Sequence, residues 1–290
     1  MPRRPVPANR SVAVTGASTG IGNACAHYLA GRGWQVFAGV RRETDFEQLQ
    51  DRPGASGEIT PLILDVTDED SIAAAFESIA NEVGGKGLGG LVNNAGIVVP
   101  GPLEFIPLDE LRRQFEVNAI APVAVAQAAM PLLRRSTGRI VNIGSISGRI
   151  STPMMGPYSG SKFAIEALSD SLRNELAPWG MHVALVDPGN IETPIWQKTT
   201  AFADEMLPTM PPEMEELYAP LIEKTRAMAK NSEQTAIPAE AVAKAVAHAL
   251  GSNRPRIRYF VGTDAKLGSV AARLLPDGLR DRVVQRVIGV

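Results

Sequence analysis

Cysteine occurs once in 290 residues, at Cys25, so no internal disulfide can form and a reducing compartment, the cytoplasm, is expected. Histidine is nearly as scarce. His27, His182 and His248 stand alone with no partner at ligand spacing, and no metal site is expected. No run approaches the ~20 consecutive apolar residues that span a bilayer, so membrane contact is not expected. The net charge of −2 is spread without large blocks, which excludes the electrostatic footprint of a nucleic-acid binder. The opening "MPRRPVPANR" carries positive charge but no apolar run behind it. Residues 1–10 therefore read as a disordered lead-in, not a signal peptide.

With 44% hydrophobic and 21% charged residues, the composition is that of an ordinary globular chain. Short apolar runs at 11–16, 34–40, 59–66, 88–96, 138–145, 181–189 and 257–262 alternate with helical patterns near 20–32, 68–83, 108–135, 158–177 and 239–250. The central runs are apolar throughout instead of alternating, as in strands covered on both faces. This rhythm predicts right-handed βαβ units in a doubly wound parallel α/β sheet of Rossmann type, one catalytic domain over residues 11–262. Residues 190–236, rich in proline and methionine, interrupt the rhythm after a strand end, where substrate lids form in open α/β sheets. An ordinary packed helical hairpin is the competing reading. Residues 263–290 form a C-terminal extension of two short amphipathic helices, expected to cap their own domain.

The stretch "VTGASTGIGNA" at 14–24 carries two readings. As G-x-S-x-G it is the nucleophile elbow of a serine hydrolase, with Asp187 and His248 available in the required order. As a glycine turn, Gly16, Gly20 and Gly22 let the phosphates of a dinucleotide approach the backbone. Position favours the turn. Ser18 follows the first strand, whereas an elbow belongs to a central one, and His248 sits in the alanine-rich "AVAKAVAHAL".

Downstream, "PYSGSKFAIEAL" places Tyr158 and Lys162 at i and i+4 on one helix face. A neighbouring ammonium favours a phenolate, so Lys162 is expected to lower the Tyr158 pKa from its usual value of about 10. Ser145 ends an apolar strand thirteen residues before Tyr158, at the sheet edge where substrates bind.

Together Thr15-Gly16-x-x-x-Gly20-Ile21-Gly22, Asn93-Asn94-Ala95-Gly96, Asn118 in "FEVNAIAP", Ser145, Tyr158-x-x-x-Lys162 and "DPGNIETP" resemble the short-chain dehydrogenase/reductase family over residues 11–195. The length and "VFAGVRRETD" look most like its branch of 17β-hydroxysteroid, retinol and 3-hydroxybutyrate dehydrogenases. The resemblance implies hydride transfer between a nicotinamide cofactor and a carbonyl or secondary alcohol. It implies Tyr158 as acid or base, Lys162 on Tyr158 and the ribose, and Ser145 on the substrate oxygen. Asn118 would hold a water linking Lys162 to solvent, the competing reading being a satisfied buried amide. Gly16, Ser18, Thr19, Gly20, Ile21 and Gly22 would form the phosphate cradle, Asp65 and Val66 would contact the adenine, and Asn94 the nucleoside. Ile191 and Thr193 would close over the carboxamide. A catalytically silent dinucleotide sensor and an epimerase or dehydratase of the extended relatives are the remaining alternatives.

The second strand ends in Gly39-Val40-Arg41-Arg42 with no acid at the corner, which favours NADP held by Arg41 over NAD. Glu43 and Asp45 keep NAD open as the alternative. Six of nine methionines fall in segments expected beside the crevice, which points to a small apolar ketone or alcohol as substrate. A homodimer or homotetramer is expected, paired through the helices near 108–135 and 158–177, with Ala119, Ala121, Ala124, Ala126, Ala128 and Ala129 allowing close approach.

Overall fold

The computed structural model describes residues 4–49 and 56–289. Residues 1–3 of the expected lead-in and residue 290 of the expected extension lie outside the described residues. Seven strands, β1 (Ser11–Val14), β2 (Gln35–Val40), β3 (Ile59–Ile63), β4 (Gly90–Asn93), β5 (Arg139–Ile143), β6 (His182–Pro188) and β9 (Arg258–Val261), form one sheet. Their order is β3-β2-β1-β4-β5-β6-β9, and every neighbouring pair is parallel. The order reverses between β1 and β4, the switch point at which doubly wound sheets open a crevice.

Helices cover both faces, as the continuous apolar strands require. On one side α1 (Gly20–Ala30) and α8 (Glu240–Gly251) bury Cys25, Leu29, Val242 and Val246 against Val12, Val36 and Val186. On the other, α2 (Glu69–Val83) and α4 (Ala121–Ser136) bury Phe76, Ile79, Val125 and Leu133 against Phe37, Leu91 and Ile140. Between α3 (Leu108–Phe115) and α4 the chain makes a π-turn at Glu116–Ile120. The helical run Leu108–Ser136 is long and apolar enough by composition to cross a membrane, contrary to the expectation of no such run. Leu108 and Ile120 face solvent, whereas Val125, Leu132 and Leu133 face this core. So do the alanines expected to meet a second subunit: Ala119, Ala121, Ala126 and Ala129 are buried in the chain's own interior.

The insertion is a helical pair, α6 (Ile195–Met206) and α7 (Pro212–Thr235). Its two ends are tied by a ladder too short to leave a sequence pattern, β7 (Ile191–Glu192) beside β8 (Ile237–Pro238). The methionines divide. Met206 and Met210 pack with Val99 and Ile106 as a small core, and Met214 is buried. The extension forms α9 (Thr263–Leu274) and α10 (Asp277–Ile288). Gly268 of α9 lies against Ile146, and Ile288 of α10 is buried, whereas Leu267, Leu274 and Val287 face solvent.

From residue 4 onward the expected loose lead-in makes defined contacts. The Arg4 N–H donates to the Asn253 carbonyl at 2.9 Å. Buried Arg139 donates through Nη2 to the Pro5 carbonyl at 2.7 Å. Through Nη1 it donates to the carbonyls of Ala249 and Ser252 at 2.8 and 2.7 Å, capping the C-terminus of α8. Arg139→Ala leaves these acceptors without their donor inside the protein, and should cost about 3 kcal/mol in urea unfolding.

Candidate active site

A cavity of about 680 Å³ opens at the carboxyl ends of the central strands. One end is shaped by the turn after β1. Gly16 has φ +63° and lies so close to β4's end that a Cβ would stand 2.8 Å from Ala95 Cα. A Cβ on Gly22 would strike the Gly16 carbonyl and approach Asn94 Nδ2 to 2.5 Å. The turn is stitched to the next strand from both sides. Thr15 Oγ1 accepts from the N–H groups of Asn94 and Ala95, and Asn94 Nδ2 donates to the carbonyls of Thr15 and Gly16 at 2.9 and 3.0 Å. The result is a bare backbone concavity ahead of the α1 N-terminus, shaped for phosphate.

Across the cavity stand Ser145, Tyr158 and Lys162. Ser145 leaves β5 in extended conformation and its Oγ accepts the Ser147 N–H at 3.1 Å. Next, α5 (Gly156–Leu176) starts with Pro157 in its first turn, where a missing N–H costs nothing. Tyr158 therefore occupies a helix N-terminus, whose dipole favours negative charge. Lys162 Nζ lies 5.8 Å from the Tyr158 ring centroid and donates to the Ile143 carbonyl at 2.8 Å.

The electrostatics differ from the expected simple lowering of Tyr158. Burial pushes the Tyr158 hydroxyl up, a hydrogen bond from Ser145 pulls it back, and Asp187 pushes it further up. Lys162 is pulled down to about 8 by burial, with Asp187 opposing. Desolvation is the largest cause for both groups.

Ser18, Thr19, Gly20, Ile21, Arg41, Asp65, Val66, Asn94, Ile191 and Thr193 border the same cavity, as does Gly16. Gly22 lies behind the turn instead. Asn118, in the π-turn, also stands back from the cavity. Its Oδ1 accepts the Ile97 N–H at 2.9 Å, and its Nδ2 donates to the Ile97 carbonyl and to Ser161 Oγ at 3.0 and 3.2 Å. Asn118 thereby ties Ile97 to Ser161 of α5 through its side-chain amide. At the second-strand corner Arg42 turns away to Asp45 at 3.7 Å, while Arg41 stays on the cavity wall. Despite the opposing effect of burial, hydrogen bonds from Thr67 and the nearby Arg41 hold the Asp65 carboxyl below its ordinary range.

Sequence reasoning missed Arg112, Arg113 and Lys198, which join Arg41 and Lys162 on the wall with Asp65 and Glu116. Arg112 and Arg113 are themselves paired with Asp109 and Glu110 at 2.6 and 3.0 Å, so Arg41, Lys162 and Lys198 are the cations that suit an anionic ligand. The signal for Arg112 and Arg113 was a basic pair about a turn and a half before Asn118. The hydrolase constellation does not assemble. His248 Nδ1 is spent on the Tyr259 hydroxyl at 2.8 Å, and Asp187 is sealed beneath the sheet edge with Arg258.

A glycine phosphate cradle and a serine–tyrosine–lysine cluster in one cavity, at the switch point of a parallel sheet, define a dinucleotide-dependent oxidoreductase. The profile of the short chain dehydrogenase family matches residues 10–204. The NADPH-dependent 3-dehydrocapnine reductase of Ornithobacterium rhinotracheale is 36% identical, covering 94% of this chain and 95% of that protein. The 17-beta-hydroxysteroid dehydrogenase type 6 of Bos taurus is 37% identical over 96% of this chain and 88% of its own. A crystal structure of a short chain dehydrogenase from Burkholderia cenocepacia in complex with NADP superposes with a TM-score of 0.71. It shares 26% identity and covers 95% of this chain and 97% of that one. The chain belongs to the short-chain dehydrogenase family. It is an oxidoreductase that transfers hydride between a nicotinamide dinucleotide and a carbonyl or hydroxyl group.

Because the cradle has no room at residue 22, Gly22→Ala should cost about 1–3 kcal/mol in urea unfolding. It should also weaken dinucleotide binding roughly tenfold or more, a loss of ~1.4 kcal/mol per decade, by titration of the folded variant.

Proposed function

We propose that the protein is an NADP(H)-dependent dehydrogenase or reductase of a lipophilic ketone or secondary alcohol, with NAD(H) the weaker cofactor. One observation carries this reading: Tyr158, Ser145 and Lys162 share a cavity with the Gly16–Gly20 cradle and with Arg41. The residues fit the cofactor, since a Cβ would fill the cradle at Gly16 and Gly22 and Arg41, Lys162 and Lys198 stand on the wall. Gly16, Ser18, Thr19, Gly20 and Ile21 would hold the pyrophosphate, and Arg41 the 2′-phosphate. Asp65 and Val66 would meet the adenine, Asn94 the nucleoside, Ile191 and Thr193 the carboxamide. When bound, the nicotinamide supplies or accepts the hydride.

The chain's own groups handle the proton. In reduction Tyr158 donates its hydroxyl proton to the substrate oxygen, and in oxidation its phenolate removes one. Ser145 hydrogen-bonds the same oxygen, orienting it and stabilising developing charge. Charged Lys162 stabilises the phenolate and binds the ribose hydroxyls. Asn118 acts by bracing Ile97 against Ser161 of α5, which keeps that helix in place.

An apolar substrate is supported by a second cavity of about 140 Å³, which shares Trp196 with the first and is bordered by Met155, Ala203 and Met228. The relatives whose names mention steroid and retinol dehydrogenases support the same class. A homodimer or homotetramer is part of this reading. Since the alanines are used internally, its support moves to exposed Ile120, Phe163 and Leu168, on elements that pack together. A cytoplasmic location rests on the lone, buried Cys25.

Two measurements test the assignment. Tyr158→Phe should lose at least about 99% of turnover while dinucleotide affinity changes little, as the hydroxyl but not the ring is removed. A Phe variant keeping a tenth of the activity overturns the role of Tyr158. Arg41→Ala should weaken NADP roughly ten- to a hundredfold, the worth of one charge-assisted phosphate contact, and leave NAD almost untouched. Equal loss for both cofactors, or a wild type that prefers NAD, would refute the role of Arg41.

A further inference from the structure

Tyr158, Lys162, Glu166 and Asp170 follow one another at intervals of four along one stripe of α5. The first two border the cavity, while Glu166 and its neighbour Asp187 lie behind it. Asp187 is fully buried at the end of β6, its Oδ1 so close to Gly144 that a Cβ there would overlap it. Gly144 directly follows Ile143, whose carbonyl receives the Lys162 ammonium. No donor reaches either Asp187 oxygen or Glu166 Oε1, although all three are enclosed. Arg258 Nε stands 3.6 Å from Asp187 Oδ2, beyond hydrogen-bond reach. Glu166 Oε2 is taken by Arg149 at 2.9 Å and by Arg258. The two carboxyl groups lie within hydrogen-bond reach of each other. Two buried acids facing each other cannot both ionise cheaply, and one proton between them supplies a donor to the facing oxygens, which have none.

We propose that Asp187 and Glu166 share a single proton and form the buried counter-ion of Lys162, which makes Asp187 a positioning residue acting on the Tyr158–Lys162 pair. The proposal rests on the roles given to those two residues above. The other charged groups facing the carboxyl pair are Arg258 on β9, Arg149 after the Ile146–Gly148 turn, and Asp170 on α5, which binds Arg173 at 2.6 Å. Asp264 on α9 is occupied by the Asn190 N–H at 2.7 Å. Negative charge on Asp187 raises both Lys162 and Tyr158, so it makes the pair hold its protons to higher pH. Asp187→Asn removes that charge and leaves only Glu166, which stands between two arginines. Glu166→Gln leaves the Asp187 charge in place where Tyr158 titrates.

The test is the tyrosinate absorbance of the full chain across pH, each protein measured against the same protein carrying Tyr158→Phe. The Tyr158 midpoint should fall by about one pH unit in Asp187→Asn and stay nearly unchanged in Glu166→Gln, because Asp187, pushed up to about 8, is ionised where Tyr158 titrates. A purely structural ion cluster would move neither midpoint. An unmoved midpoint in Asp187→Asn, or an equal fall in both variants, overturns the proposal. Should Asp187→Asn not fold, a fall of a full unit in Glu166→Gln overturns it alone. Active Tyr158→Phe enzyme would overturn the reading above and this one with it, whereas an inactive Phe variant with an unmoved midpoint in Asp187→Asn overturns only this one.

Discussion

The site depends on how closely β1's turn approaches the end of β4. Two adjacent parallel strands diverge at the switch point, and the gap between them is the binding crevice. Here the gap is held at a set width by Thr15 and Asn94, each hydrogen-bonded to the other's backbone. Gly16 can lie against Ala95 only because it has no side chain, and Gly22 brings α1 down onto the same point. Once this corner is closed, the backbone faces of Ser18 to Ile21 point into the cavity and β5 delivers Ser145 opposite them. Cofactor cradle and catalytic cluster are thus two ends of one constraint.

Much of this was legible in the sequence, for identifiable reasons. Strands buried on both faces leave unbroken apolar runs, and all seven expected strands occur in the parallel sheet. Their edges were less legible: the run 88–96 contracts to Gly90–Asn93 because Asn94 leaves the ladder to bind Thr15 and Gly16. Tyr158 and Lys162 were visible because a helix face repeats every four residues. The methionines were not, since an apolar residue in a lid segment reads the same whether it lines a crevice or fills a core. Met206 and Met214 fill cores. The alanines misled for the same reason. Small residues permit close approach, but whether to another subunit or to the chain's own sheet is a tertiary fact.

The carboxyl pair shows the limit from the other side. Glu166 and Asp170 continue the stripe that begins at Tyr158, so half of the cluster was present in the i, i+4 spacing. The other half comes from β6, β9 and the turn after β5, and only the fold brings Asp187, Arg258 and Arg149 to it. Asp187 stands in the chain order that a hydrolase triad needs, yet in the fold it faces Arg258 at 3.6 Å while His248 binds Tyr259.

Burial makes the proposed pairing of Asp187 with Lys162 consequential. Two charges 4 Å apart interact by about 1 kcal/mol in water and about 4 kcal/mol at the effective dielectric near a protein surface. Enclosing Lys162 has already pulled it to about 8, so its charge state lies within reach of small changes in its surroundings. A lysine exposed on α5 would ignore a carboxylate behind it. The same desolvation that makes Lys162 sensitive would make it useless unless a negative charge offset part of the cost. In the proposed arrangement that offset comes from beneath the sheet edge, where buried Asp187 opposes the effect of burial on Lys162. Catalytic face and buried face of α5 are therefore a single electrostatic unit, and Gly144 permits their contact by leaving Asp187 room beside the strand that holds Lys162.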